Sequence, residues 1–344
     1  MPSRRAIGRA MSRRRFVFGG LATLASAPLV LGACSERASD EATGAASSLR
    51  GPWKFTDDRG VEVSLDAPPQ RIVAHEYALA ALWDYGIRPV GTYGSVSMGD
   101  QPIFADLDLD GIESIGEVWG EVNLEALAAL RPDLIISTYW PSEKLLGGVK
   151  DGKLEAKMSA LAPFVGIDAQ VPATSTIERF EELAGALGSD LDSPEIAQIH
   201  AAYDQAVQGF RSAAESKPGL RAMAVYADPE ALYIGKTDDY SDLREYEAWG
   251  LEVVSGESAD PYWEIVSWEN ADRYPVDLIL YDARAHAPSL EELDDIPLWT
   301  ELPAVRAGQL TPWHMEEAVS YRLFTEHIKE LGAVVEGSDV VARR

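Results

Sequence analysis

Short apolar runs and amphipathic stretches alternate along the chain from residue 53 onward. Trp53-Lys54-Phe55-Thr56 and Val61-Glu62-Val63-Ser64-Leu65 each switch between apolar and polar positions, with Asp57-Asp58-Arg59-Gly60 between them. Period two around a glycine-containing turn predicts a hairpin. Arg71–Ala74, Pro89–Thr92, Leu134–Ser137 and Phe164–Ile167 are short and largely apolar, as strands covered on both faces are. Helices are expected over Tyr77–Tyr85, with Ala78, Leu79 and Leu82 on one face, and over Leu124–Leu130, capped by Asn123. Such alternation predicts an α/β fold with a mostly parallel sheet.

Residues 193–216 break the rhythm. Ser193 is a suitable N-cap, Pro194 suits the first helical position, and Ile196, Ile199, Tyr203, Val207 and Phe210 recur at helical spacing. The stripe stops at Lys217-Pro218-Gly219. Strand and helix then resume: Arg221–Tyr226, a helix over Tyr240–Trp249, Val253-Val254, Val276–Tyr281 after Trp268–Tyr274, and a terminal helix from about Glu316 to Leu331. The expected organisation is a first α/β lobe over 51–190, a helix over 191–217, a second α/β lobe over 218–334 and a polar tail over 335–344.

The N-terminus changes the picture of where this fold works. Residues 1–15 hold six arginines and no acid, and Phe16–Ala33 carries no charge. A basic segment, an apolar segment and small residues before a cut mark an export signal over 1–33. Ser12-Arg13-Arg14-Arg15-Phe16-Val17 resembles the twin-arginine motif, with an ordinary secretory signal as the alternative. Leu31-Gly32-Ala33-Cys34 resembles a bacterial lipobox, and Cys34 is the one cysteine in the chain. Lipidation would consume a thiol that an oxidising compartment leaves without a partner. Residues 35–50 are polar and read as a tether. The expected location is the outer face of the cell membrane, with membrane contact through the lipid alone. Net charge is −26 for the whole chain and near −32 without residues 1–33. A field of that sign repels nucleic acid and disfavours strongly anionic ligands.

Several stretches together resemble the ABC-importer binding proteins for ferric siderophores and vitamin B12. They are Leu65-Asp66-Ala67-Pro68-Pro69-Gln70-Arg71-Ile72-Val73, Gly116 through Val122-Asn123-Leu124-Glu125, and Leu130-Arg131-Pro132-Asp133-Leu134-Ile135. Trp263-Glu264-Ile265-Val266-Ser267-Trp268-Glu269 and Pro275-Val276-Asp277-Leu278-Ile279 look like the second-lobe counterparts. The likeness covers about residues 53–332. It implies two Rossmann-like lobes joined by a single long rigid helix, with the ligand in the cleft between them and little closure. It also implies a monomer that delivers an iron(III)–siderophore complex to an ABC permease dimer with its ATPase subunits, no intrinsic cofactor, and Glu125 and Glu269 as the permease-docking residues.

Ligands in open α/β sheets bind beyond the carboxyl ends of strands. The loops there would present His75, Tyr93, Ser95, Trp119, Tyr139 and Trp140 from the first lobe, and Tyr226, Tyr233, Lys236, Arg284, His286, Trp313 and His314 from the second. Flat rings cover a bulky chelate, and Arg, Lys, His or Tyr donors meet the oxygens around iron. Core packing for each ring and a solvated surface for each charge are the competing readings. Candidate cations are few, chiefly His75 and Lys144 in the first lobe. That favours a neutral or cationic complex such as a hydroxamate. Haem, cobalamin and a free zinc or manganese ion held by His75, His286 and His314 stay open as alternatives, and His200 and His327 read as structural. A secreted enzyme is the remote alternative, since G-x-S-x-G, P-loop and G-x-G-x-x-G patterns are absent.

Overall fold

A computed structural model describes residues 51–284 and 287–342. The export signal, Cys34, the tether and His286 lie outside the described residues. β1 (Trp53–Thr56) and β2 (Glu62–Leu65) form the expected antiparallel hairpin, Trp53 opposite Leu65. Its turn is held by Asp57, whose Oδ1 accepts from the backbone of Arg59 and Val61.

The first lobe then contains β3 (Ile72–His75), α1 (Glu76–Trp83), β4 (Gly91–Tyr93), β5 (Glu113–Ser114), α2 (Leu124–Leu130), β6 (Leu134–Trp140), β7 (Leu145–Leu146), α3 (Gly152–Ser159), β8 (Phe164–Asp168) and α4 (Ala173–Ala186). The sheet runs β5-β4-β3-β6, with β8 on the far side of β6 and the short β7 turned back on the end of β6. All of these pairings are parallel except β6 with β7. The Asn123 side chain accepts from the backbone of Glu125 and Ala126, which starts α2 where the sequence places it.

Next come α5 (Pro194–Ser216) and the second lobe: β9 (Arg221–Ala227), β10 (Leu232–Gly235), α6 (Ser241–Ala248), β11 (Glu252–Val253), β12 (Trp263–Val266), β13 (Leu278–Asp282), α7 (Leu290–Asp294), α8 (Pro303–Arg306), β14 (Leu310–Trp313) and α9 (Tyr321–Gly337). A 3-10 helix over Trp268–Arg273 precedes β13. The sheet order is β12-β10-β9-β13-β14, with β10 antiparallel to both of its neighbours. The two lobes share a tie. Asp133 accepts from the backbone of Gln70 and Arg71 just before β3, and Asp277 accepts from the backbone of Arg221 where β9 starts. An aspartate at the foot of one central strand thereby pins the foot of its neighbour in each lobe.

The chain crosses between lobes through α5, but three helices straddle the boundary. In α5, Ile196 belongs to the first lobe's core while Tyr203, Ala206, Phe210 and Ala213 belong to the second's. α4 does the reverse, with Ala173 and Ile177 in the second core and Phe180, Leu183 and Ala184 in the first. In α9, Leu323 reaches the first core and Phe324, Ile328 and Leu331 the second. Phe210, 1% exposed, packs on Tyr246 and Trp249 at 5.5 and 5.8 Å between ring centres. Cutting such a ring back to alanine costs about 3–5 kcal/mol. The lobes are therefore held by shared core rather than by a free hinge.

The terminal helix and tail differ from expectation. Glu316 adopts φ 70° and cannot begin a right-handed helix, so α9 starts at Tyr321, capped by Ser320, whose side chain accepts from the backbone of Leu323. It continues past Leu331 because Val335 is fully buried. The segment read as a polar tail is tied down: the backbone of Val341 and Ala342 donates to Asp277 Oδ1, at 2.7 Å each.

Candidate ligand-binding site

A cavity of about 560 Å³ lies between the lobes at the carboxyl ends of their strands. That size is ordinary for a small-molecule site. β3 ends on His75, and α1 begins at once with Glu76 and Tyr77, so all three reach the cavity. Ser95 follows β4, Trp140 ends β6, and Val118 and Trp119 stand at the rim, 55% and 57% exposed. The second lobe supplies Tyr240, Tyr262 and Trp263, with Arg284 after β13 and Met315 and Glu316 after β14.

The floor is built tightly. His75 is 4% exposed, and burial lowers its pKa to about 3, so the ring is neutral. It meets Tyr77 and Tyr93 at 5.4 Å between ring centres. Gly147 and Gly148 press on it: a Cβ at either would come within 2.9 Å of the imidazole, and Gly148 has φ 69°. Glu76 accepts from Ser95 N, Ser95 Oγ and Gln101 Nε2, at 3.1, 2.9 and 2.5 Å. Burial nonetheless raises its pKa. A Cβ on Gly94 would sit 2.1 Å from Glu76 Oε2, so this carboxylate requires the glycine beside it.

Arg284 is the one Lys or Arg among the described lining residues. Its Nη2 donates to Asp282 Oδ2 at 2.7 Å, and its Nη1 lies 3.8 Å from Glu316 Oε1. Burial raises the Glu316 pKa to about 7, with Arg284 pulling the other way and Glu76 adding to the rise. One guanidinium, paired with Asp282, therefore shares the cavity lining with Glu76, Glu143 and Glu316. Backbone strain also collects here. Tyr262 and Glu316, both lining, are two of the four non-glycine residues with positive φ among those described. Conformations of this kind cost about 1–3 kcal/mol and gather at ligand sites.

Of the positions expected from sequence, the structure brings His75, Ser95, Trp119, Trp140 and Arg284 to the cavity. The other described positions lie elsewhere. Tyr93 is 1% exposed and sits behind His75. Tyr139 belongs to the other face of β6 and packs on the first lobe's core. Trp313 is 1% exposed, donates from Nε1 to Asp242 at 2.7 Å and backs the cavity through Tyr240. Tyr226 and Tyr233 face each other on paired strands, 5.1 Å between ring centres. Lys236 Nζ is held by Asp260 O at 2.9 Å and by Asp239 at 3.4 Å. His314 pairs with Glu317 and Glu330. Lys144 is exposed and outside the lining. The sequence reading missed Glu76, Tyr77, Tyr240, Tyr262, Trp263 and Glu316. Trp263 stood within a recognised stretch, the one signal that could have pointed there.

Two α/β lobes facing each other across a strand-end cleft are the architecture of a solute-binding protein. Residues 116–316 match the periplasmic binding protein family, and the chain belongs to it. It is similar to DesE, a ferric-siderophore receptor protein from Streptomyces coelicolor, at 33% identity and TM-score 0.78, covering 84% of this chain and 99% of that one. The Fe(3+)-citrate-binding protein YfmC of Bacillus subtilis is 21% identical over 294 residues, 84% of this chain and 87% of the relative. FeuA, the triscatecholate siderophore binding protein of Bacillus subtilis, shares the fold at 18% identity and TM-score 0.63, over 83% of this chain and 98% of its own. Among the described residues, no helix is long and apolar enough to cross a membrane.

Proposed function

We propose that this protein captures an iron(III)–siderophore complex outside the cytoplasm and delivers it to an ABC importer, and that the complex is neutral or cationic, of hydroxamate type. The charge of the cleft carries the choice of ligand class: Glu76, Glu143 and Glu316 line it with a single arginine already paired with Asp282, so even with Glu316 partly protonated the lining holds no uncompensated positive charge. A tris-catecholate iron complex with three negative charges would meet repulsion there, whereas a neutral or cationic chelate gains from it. Trp119, Trp140, Tyr262 and Trp263 offer ring faces and edges to the apolar body of a chelate. The likeness to a ferric-siderophore receptor supports the cargo. Anchoring through a lipid on Cys34 and docking through Glu125 and Glu269 complete the reading. The shared cores of α4, α5 and α9 restrict closure to a small movement.

The test is titration of tryptophan fluorescence with ferric trihydroxamates of positive and zero charge, a ferric tris-catecholate, ferric citrate, haem and cobalamin. Saturable quenching below micromolar concentration by a trihydroxamate, and at least tenfold weaker response to the tris-catecholate, is the expected result. Tighter binding of the tris-catecholate overturns the ligand class, and silence toward every iron chelate overturns the cargo.

A further inference from the structure

Beside Glu269 the second lobe carries a groove that is separate from the ligand cleft. It encloses about 790 Å³, and none of its lining residues lines the cleft. The 3-10 helix over Trp268–Arg273 contributes Trp268, Glu269, Ala271 and Asp272. The segment from α7 through α8 contributes Leu298, Glu301, Leu302 and Arg306, and Val341 lines the groove as well. These positions are fixed from behind. Trp268 donates from Nε1 to Asp228 O at 3.0 Å, and Ala271 is buried in the lobe's core. Ile296 and Trp299 are buried in the same core, and the backbone of Trp299 donates to Ile296 O at 3.1 Å. Leu298, between them, is turned out and 37% exposed. Val341 is held by its backbone bond to Asp277 and is 36% exposed.

Two of the eight large apolar side chains exposed among the described residues thus line this one groove. An exposed apolar patch rimmed by polar groups marks an interaction surface. The rim here is Glu269, Asp272, Glu301 and Arg306, all exposed. None of these four side chains has a hydrogen-bonding or ionic partner among the described residues. Three carboxylates against one guanidinium make the rim acidic, which complements a basic segment. The place beside Leu124 in the first lobe is different: Lys150, Lys153 and Lys157 stand there with Glu117, Glu121 and Asp151, so the signs balance.

We propose that the groove receives an extracytoplasmic segment of the permease subunit that meets Glu269. An apolar side chain of that segment enters beside Trp268 and Leu298, and flanking lysine or arginine residues face Asp272 and Glu301. The contact rests on the reading that Glu269 docks to the importer, and it adds what that reading lacks. An exposed ion pair contributes little affinity. Affinity comes from apolar side chains desolvated at the centre of an interface, inside a polar rim. The groove offers both beside the docking glutamate.

The test uses the full chain in its native cells. A photoreactive benzophenone amino acid in place of Leu298 should crosslink to a permease subunit on illumination, with the adduct identified by mass spectrometry. Asp272→Lys combined with Glu301→Lys should cut the yield of that adduct about fivefold or more, because repulsion replaces attraction at the rim. Leu298→Lys should lower uptake of a ferric trihydroxamate about fivefold or more, the loss expected at the centre of an interface. Its circular dichroism and its affinity for the same chelate should match wild type, since the side chain is exposed and outside the cleft. Absence of a permease adduct, an adduct with a second copy of this chain or with another protein in its place, or normal uptake by Leu298→Lys overturns the proposal. The crosslink requires no cargo, and Glu125→Ala with Glu269→Ala reads docking separately. Loss of uptake in that pair with normal uptake in Leu298→Lys keeps the docking reading and removes the groove. Normal uptake in both removes both.

Discussion

Trp140 and Tyr262 meet edge to face across the cleft, their ring centres 6.1 Å apart and their planes at 76°. One ends a strand of the first lobe and the other stands just before a strand of the second. Tyr262 Oη also lies 2.8 Å from Ser142 Oγ, so the ring is tied to the first lobe by a hydrogen bond as well. From Tyr262 the rings continue inward through Tyr240, at 6.0 Å, to Trp313, a further 4.7 Å on. The contact ties the two lobes together, and the proposed ligand would have to share or displace it.

Removing the Trp140 ring should therefore weaken capture. Trp140→Ala is expected to lower affinity for the ferric chelate about tenfold or more, the range for an aromatic anchor at the centre of a site. Tyr262→Phe keeps the ring and loses the Ser142 bond, and its effect should stay within about threefold. Lys236→Ala and Tyr226→Phe should leave affinity unchanged, since both side chains lie outside the cavity. Fluorescence titration of the four variants reads this directly. Loss of affinity in Lys236→Ala equal to that in Trp140→Ala would place the ligand elsewhere.

Asp242 yields a pH prediction. It is 3% exposed, accepts from Trp313 Nε1, and burial raises its pKa to about 6 from 3.8. As pH rises from about 3.8 to 6, the unfolded carboxyl releases its proton before the folded one does, and this group withdraws stability. The loss is complete above about pH 6 and amounts to roughly 3 kcal/mol at most. Asp242→Asn keeps an acceptor for Trp313 and has no charge to bury. Its melting temperature should match wild type near pH 3.5 and exceed it at pH 7.5. A variant less stable than wild type at both pH values would show that the ionised carboxylate is needed.

The alternation of strands and helices was legible because each sheet is sandwiched, so its strands are short and apolar and its helices amphipathic. Strand parity was not. Where both faces of a strand are buried, composition does not say which side chain faces the cleft, and Tyr93, Tyr139 and Trp313 fell on the wrong side. Tyr240, Tyr262 and Trp263 were missed because β10 and β12 run antiparallel where a continued parallel pattern was expected. Glu316 reads from sequence as the start of the terminal helix, and nothing in the sequence around Glu76 marks it as a wall residue. Only the three donors to Glu76 and the left-handed turn at Glu316 reveal them as walls of the cavity.

Docking to the importer is the last consequence, and the topology sharpens it. Glu125 sits in the first turn of α2, which leads into β6; Glu269 sits in the first turn of the 3-10 helix that leads into β13. Asp133 and Asp277 tie β6 and β13 to β3 and β9 in the same way. The two glutamates thus occupy equivalent places in the two lobes, and both are exposed. A carboxylate in a first turn also favours the helix dipole, by about 0.3–1 kcal/mol, so each has a structural role to separate from docking. An exposed ion pair adds little affinity by itself, but two that form together fix how the protein sits on a two-subunit partner. Glu125→Ala and Glu269→Ala should leave ligand affinity unchanged and lower stability by no more than about 1 kcal/mol, while cellular uptake of the iron chelate falls. The double variant should lose most uptake, and arginine-to-glutamate changes on the permease paired with Glu125→Arg and Glu269→Arg should restore part of it. Glu125→Gln and Glu269→Gln, which keep the shape and remove the charge, should behave like the alanine variants in uptake. Normal uptake by the double variant, or a fall in uptake matched by an equal fall in ligand binding, would show that the contacts with the importer lie elsewhere on the two lobes.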